Sequence, residues 1–139
     1  MIFTIAIVGA GLLAGVYASF SVMVMPALSR LSDREATTAM AGINRAAERG
    51  PFLALFTLTA LAAVGLVIEA APRGDARELI AAGASLASTA VTVLVNVPLN
   101  RQLDRVGQSS WPTYRRRWTV WNTVRAGMAT AAVIVAVAF

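Results

Sequence analysis

The chain has 139 residues and contains no cysteine, no histidine and no lysine. Without cysteine there can be no disulfide, thiolate-bound metal or thiol nucleophile. Without histidine, imidazole catalysis and imidazole-bound metals are excluded as well. Charge is also scarce, with 14% of residues charged against about 25% in a typical soluble domain. All twelve basic residues are arginine, and the formal net charge is +5. These arginines sit in short segments beside apolar runs, which suits membrane topology and leaves nucleic acid without a role as partner.

Apolar sequence dominates, at 58% of residues. It falls into four blocks of roughly the ~20 residues that a membrane span needs. The polar outer faces of a soluble bundle are missing. The expected fold class is therefore all-α. We expect a four-helix transmembrane bundle forming a single integral membrane domain over residues 1–139, with a short amphipathic helix between the first and second spans. The first span covers 2–28. No basic segment precedes it, so it reads as an uncleaved span rather than a signal peptide. Gly11 and Gly15 form a small-xxx-small pattern that lets a neighbouring helix come close. Tyr17 and Ser21 share a face, and Pro26 should kink or end the helix.

Ser32 and Glu35 make a capping box for the amphipathic helix, which runs to Arg49. Ala36, Met40, Ile43 and Ala47 form its apolar stripe, with Asn44 beside it as a solvated polar residue. This helix should lie at the membrane surface or against the end of the bundle. The second span covers 52–71, and Glu69 should pair with Arg73 at the interface. Asp75 caps the third helix, with Glu78 at its third position. The third span covers 79–99.

Polar residues on the third span are ordered. Ser85, Thr89, Thr92 and Asn96 recur along one helical stripe that Asn100 extends. No lipid atom can hydrogen-bond such a stripe, so its amides should face protein or a wet cavity. Pro98 removes a backbone donor between the two Asn residues. Gly107 should end the helix, Ser109 or Ser110 should cap the next one, and Arg115 to Arg117 should meet anionic headgroups. The fourth span covers 118–139. Near its start, Trp118, Trp121, Asn122 and Arg125 are spaced to share a face. An arginine at that depth requires a partner or a purpose.

Segments 29–50 and 101–117 hold nine arginines, whereas the turn between the second and third spans holds Arg73 and Arg77. The positive-inside rule then makes both long segments cytoplasmic and puts both termini outside, in a multi-pass protein of the cell membrane. In that topology Asn96, Asn100, Asn122 and Arg125 lie at one depth on sequential, antiparallel helices. Trp118 and Trp121 would wall a small-molecule site there, and Tyr17 and Ser21 would reach it from the first span.

The residues Gly-Val-Tyr-Ala, Met-Pro-Ala-Leu, Ile-Asn-Arg, Asn-Val-Pro-Leu-Asn and Trp-x-x-Trp-Asn-x-x-Arg together resemble the anthrone oxygenase-like family of small membrane proteins. The resemblance spans nearly the whole chain. It implies oxidation of anthrones by dioxygen with no metal and no organic cofactor, so the partners would be membrane lipids, a planar aromatic phenol and dioxygen. It marks Asn96, Asn122 and Arg125 as candidate catalytic residues. Asn100 and Trp121 carry over as ligand contacts, and Trp118 and Tyr17 join them by position. One departure concerns the base. In the family a histidine often follows the Trp-Asn pair, but here that position is Thr123. A non-catalytic protein binding a lipid-like molecule or a partner membrane protein is the alternative, and a homo-oligomer is compatible with either reading.

Overall fold

The computed structural model describes residues 1–138; Phe139, the expected end of the fourth span, lies outside the described residues. Every regular element among the described residues is helical. Helix α1 comprises Ile2–Ser19, a π-helical turn Phe20–Val24 and a last turn Met25–Leu28. Helix α2 is Asp33–Ala47. Helix α3 is Pro51–Ala70, continued by a 3-10 turn Ala71–Arg73. Helix α4 comprises Ala76–Val91, a second π turn Thr92–Asn96 and Val97–Val106. A 3-10 turn Gly107–Ser110 leads into α5, Trp111–Ala138.

Local chemistry sets these boundaries. Ser32 accepts from the Glu35 amide while Glu35 accepts from Ser32, so both halves of the capping box form. The Asp75 carboxylate accepts from the Glu78 amide at 3.1 Å and starts α4. Arg73 bonds Glu78 rather than the Glu69 side chain, and its Nε donates to the Glu69 carbonyl at 3.0 Å. Gly74 and Gly107 take φ of 63° and 76° at the two sharp turns, where a side chain would be strained. Ser109 and Ser110 donate backward to Val106 and Gly107 instead of capping α5.

Both π turns precede an X-Pro pair, Met25-Pro26 and Val97-Pro98. A proline ring crowds the carbonyl four residues back and offers no N–H. The wider turn absorbs this misfit: the amides of Met25 and Val97 bond the carbonyls of Phe20 and Thr92, five residues back. Pro26 therefore does not end α1, which continues to Leu28.

Side-chain contacts fix the helix directions. Ser88, Asn96 and Asn100 meet Arg125, Trp118 and Tyr114 in turn, so α4 and α5 are antiparallel. Tyr17 and Ser21 meet Asn122 and Thr123, and a Cβ on Gly11 would touch Val133, so α1 opposes α5. Tyr17 against Phe52 and Gly9 against Thr59 set α1 against α3. Helix α2 lies across the end of these rods. Its Ala36 and Met40 are fully buried against Leu99, Leu103, Trp111 and Tyr114.

The stretches Ile2–Leu28, Pro51–Arg73 and Ala76–Ala138 are each long and apolar enough to cross a membrane. The outward faces carry exposed Val8, Leu12, Leu58, Leu61, Ile68, Ile134 and Val137. Such a surface belongs in lipid, as in a multi-pass membrane protein.

Candidate functional site

Arg125 lies fourteen residues into α5, about 21 Å from the start of the helix at 1.5 Å per residue. It is 6% exposed. Its Nε and Nη2 donate to Asn122 Oδ1 at 3.1 and 2.8 Å, and its Nη1 donates to Thr92 Oγ1 at 3.1 Å. The guanidinium carbon stands 4.0 Å from the Tyr17 ring centroid and 5.3 Å from that of Trp118. Two flat rings thus flank the cation, an arrangement that stabilises charge where water is excluded. No carboxylate pairs with it among the described residues. A guanidinium has five N–H groups, so two are left over after these three bonds.

Asn122 is fully buried and holds the helices together. Its Nδ2 donates to the Tyr17 carbonyl at 2.7 Å and to Ser21 Oγ at 2.8 Å. Its oxygen takes both bonds from Arg125, so this amide has no capacity left. Asn100 Oδ1 is also committed, accepting from Tyr114 and Trp118 Nε1 at 2.9 Å each. Asn96 differs from both. Its Nδ2 donates to the Trp118 carbonyl at 3.3 Å, but its buried Oδ1 has no hydrogen-bond partner. The Tyr17 hydroxyl and Asn44 Nδ2 are buried without partners too.

All of these groups except Asn122, Ser21 and Tyr114 line a cavity of about 450 Å³, within the ~300–1,000 Å³ usual for small-molecule sites. Tyr17, Asn96, Asn100, Thr92, Trp118 and Arg125 line it, together with Phe52, Phe56 and Asn44. Leu53 and Val93 lie on its rim and are about half exposed, so it opens sideways between α3 and α4. A larger, shallow groove of about 770 Å³ lies outside, with Arg115 and Arg116 beside Ser29. It is a basic surface suited to headgroups and encloses none of the buried polar residues.

Against the sequence reading, the structure brings together Tyr17, Asn96, Asn100, Trp118, Asn122 and Arg125. Trp121 is different. It is 38% exposed and does not line the cavity. Trp118, Asn122 and Arg125 lie within about 60° on the helical wheel at 100° per residue, and Trp121 falls beyond the edge of that arc. Asn44 corrects the reading in the other direction. It is 6% exposed rather than solvated, because it continues the buried face of Ala36 and Met40 at four-residue spacing. Ser88, whose Oγ donates to the Arg125 carbonyl at 2.9 Å, is a further contact not singled out from sequence. The hydroxyl stripe is double-purposed: Thr92 donates to its own helix at Ser88 while accepting from Arg125. Thr89 only bonds back to Ser85.

A family model described as anthrone oxygenase matches residues 40–135, more than half of the chain. The chain belongs to the anthrone oxygenase family. The matched region holds Asn44, Asn96, Asn100, Trp118, Asn122 and Arg125, so within this family member most of the cavity wall lies in the family segment. Tyr17 and Ser21 lie before it. No curated protein and no solved structure matches the chain. Thr123, at the position where the family resemblance leads one to expect histidine, bonds Ser21 Oγ at 2.9 Å and its own Thr119 carbonyl, outside the cavity lining.

Proposed function

We propose that this anthrone oxygenase family member is a cofactor-independent oxygenase that converts anthrone-type polycyclic phenols to quinones with dioxygen. The observation that carries the reading is Arg125, a buried cation with no carboxylate partner among the described residues, on the wall of an aromatic cavity. A buried charge without a counter-ion is costly. An anionic ligand would complete it.

The reaction suits such a site. An anthrone has a methylene opposite its ring carbonyl, and losing a methylene proton gives a planar, electron-rich enolate. Arg125 and the unpartnered Tyr17 hydroxyl are the donors available to its oxygen. The enolate passes one electron to dioxygen, and the resulting radical and superoxide join as a peroxide on that carbon. The carbon then loses its remaining hydrogen as a proton while the O–O bond breaks. The departing oxygen takes up this proton and the one lost in forming the enolate, leaves as water, and a second carbonyl is formed. The protein's part is to hold the anion in a dry, preorganised site, where electrostatic stabilisation is strongest. On this reading Arg125 and Asn96 face the reacting atoms, and Asn122 positions Arg125 through its side-chain oxygen. Asn100, Trp118 and Tyr17 hold the ring system.

The test is oxygen uptake by purified protein with a panel of anthrones in metal-free detergent, against the spontaneous rate. Arg125→Met should lower turnover by at least roughly tenfold, about 1.4 kcal/mol of transition-state stabilisation. If wild-type protein adds nothing to the background and binds none of the panel, the oxygenase reading fails. A non-catalytic protein binding another lipid-like molecule or a partner membrane protein then takes its place.

The setting we propose is a four-span bundle in the cell membrane with both termini outside. Residues 29–50 and 101–117 would face the cytoplasm, as their nine arginines favour. The chain lacks cysteine, so single-cysteine labelling is clean. Asp75→Cys should react with an impermeant maleimide on intact cells and Ser109→Cys should not. The reverse pattern would invert the orientation.

A further inference from the structure

Asn44 is the part of the cavity wall that the proposed chemistry does not use. It comes from α2, which crosses the end of the long helices. It is buried, lines the cavity, and its Nδ2 has no hydrogen-bond partner. It adjoins the Tyr114 hydroxyl, which donates to Asn100. A buried donor without a partner lowers stability, so a purely structural role favours an apolar residue here.

Its place along the cavity is informative. Arg125 bonds Thr92, while Asn44 stands by the Tyr114–Asn100 pair. Thr92 and Asn100 are eight residues apart on α4, about 12 Å of helix. The cavity therefore has two polar ends, with Arg125 and the Tyr17 hydroxyl at one and Asn44 at the other. Phe52, Phe56 and Trp118 supply flat apolar wall along it, and the unpartnered Asn96 oxygen comes from the α4 segment between the two ends.

We propose that Asn44 is a ligand-binding residue that selects flat aromatic substrates bearing an oxygen substituent on a ring remote from the reacting carbonyl. This rests on the oxygenase reading for which carbonyl reacts, and on the cavity for the rest. The carbonyl or enolate oxygen lies at Arg125, and the remote oxygen accepts from Asn44 Nδ2. A substrate lacking that oxygen leaves the Asn44 amide buried and unpaired, so discrimination comes from a group the protein has already desolvated.

The probes are anthraquinone and 2-hydroxyanthraquinone, which are inert to dioxygen, with binding read by quenching of tryptophan fluorescence in detergent. Wild-type protein should bind the hydroxylated probe about tenfold more tightly, the scale of one hydrogen bond in a buried site. Asn44→Leu should abolish the preference, leave anthraquinone affinity unchanged, and melt at a higher temperature than wild type without ligand. The proposal is overturned if wild type shows no preference, if Asn44→Leu weakens both probes equally, or if it melts lower, since the amide would then be structural. Oxygen uptake is scored separately. A preference without uptake retains Asn44 and removes the oxygenase reading; uptake without a preference does the opposite.

Discussion

The two ends of the molecule solve helix packing in opposite ways. Toward the Gly74 turn the buried residues are small, with Ala6, Ala63, Ala70, Ala82, Ala132 and Ala136, and Leu66 packs between Ala6 and Ala82. Gly9 is in direct contact with Thr59: a Cβ there would lie 2.2 Å from Thr59 Oγ1. Toward α2 the buried residues are large, including Tyr17, Trp111, Tyr114 and Trp118. Between helices in lipid there is no hydrophobic drive, and close packing of small residues has to supply the attraction. The alanine-rich end supplies it. The aromatic end props the same helices apart and is held by hydrogen bonds, which leaves the cavity. One end grips, and the other is free to be hollow.

Substitutions at each end test this division. The largest effect is expected from Asn122→Ala. It removes four hydrogen bonds at once and leaves Arg125 with Thr92 as its one hydrogen-bond partner. Breaking a buried charged arrangement costs about 3–5 kcal/mol, read as loss of thermal stability in detergent. A wild-type melting curve for this variant would mean that the hollow end does not depend on its polar links. Gly9→Ala comes next, at about 1–3 kcal/mol, because a single added methyl overpacks the contact with Thr59. Gly15→Ala on the same helix should change stability by no more than about 0.5 kcal/mol, since a Cβ there meets nothing within 4 Å. Equal effects at the two glycines would erase the distinction between the gripping and hollow ends.

That pair of glycines also shows what sequence conveys and what it does not. Gly11 and Gly15 carry the small-xxx-small spacing, yet the tight contact is at Gly9, because Thr59 on another helix decides it. Local signals were readable: the Ser32–Glu35 box, the Asp75 cap and the Gly107 stop each act within a few residues. Arg125 and the Asn residues could be singled out because polar groups in apolar sequence must find one another. The cavity's other walls could not. Phe52 and Phe56 look like ordinary span residues until α1 turns Tyr17 toward them. Asn44 looked solvated because its helix is amphipathic, and its burial depends on how α2 settles on α4 and α5. Helix α5 starts at Trp111, where the expected serine cap puts it, but that Trp111 and Tyr114 pack over Met40 could not be read from its start.

The π turn at Thr92–Asn96 has a consequence for how this protein can change. It houses one more residue than an α turn of the same chain. Ser85, Ser88 and Thr92 face inward up to its first residue, and Asn96, Leu99 and Leu103 continue the same face from its last. Deleting a single residue such as exposed Leu94 would relax the turn to an ordinary α turn of nearly the same arc, so the helix beyond would keep its facing. Asn100 would stay on Tyr114 and Leu103 against Met40, as Thr92 would on Arg125. The turn is a slack residue that the helix can shed. A deletion in the regular helix that follows has no such slack: it rotates everything beyond by about 100°, scrambles the floor of the cavity and leaves its roof intact.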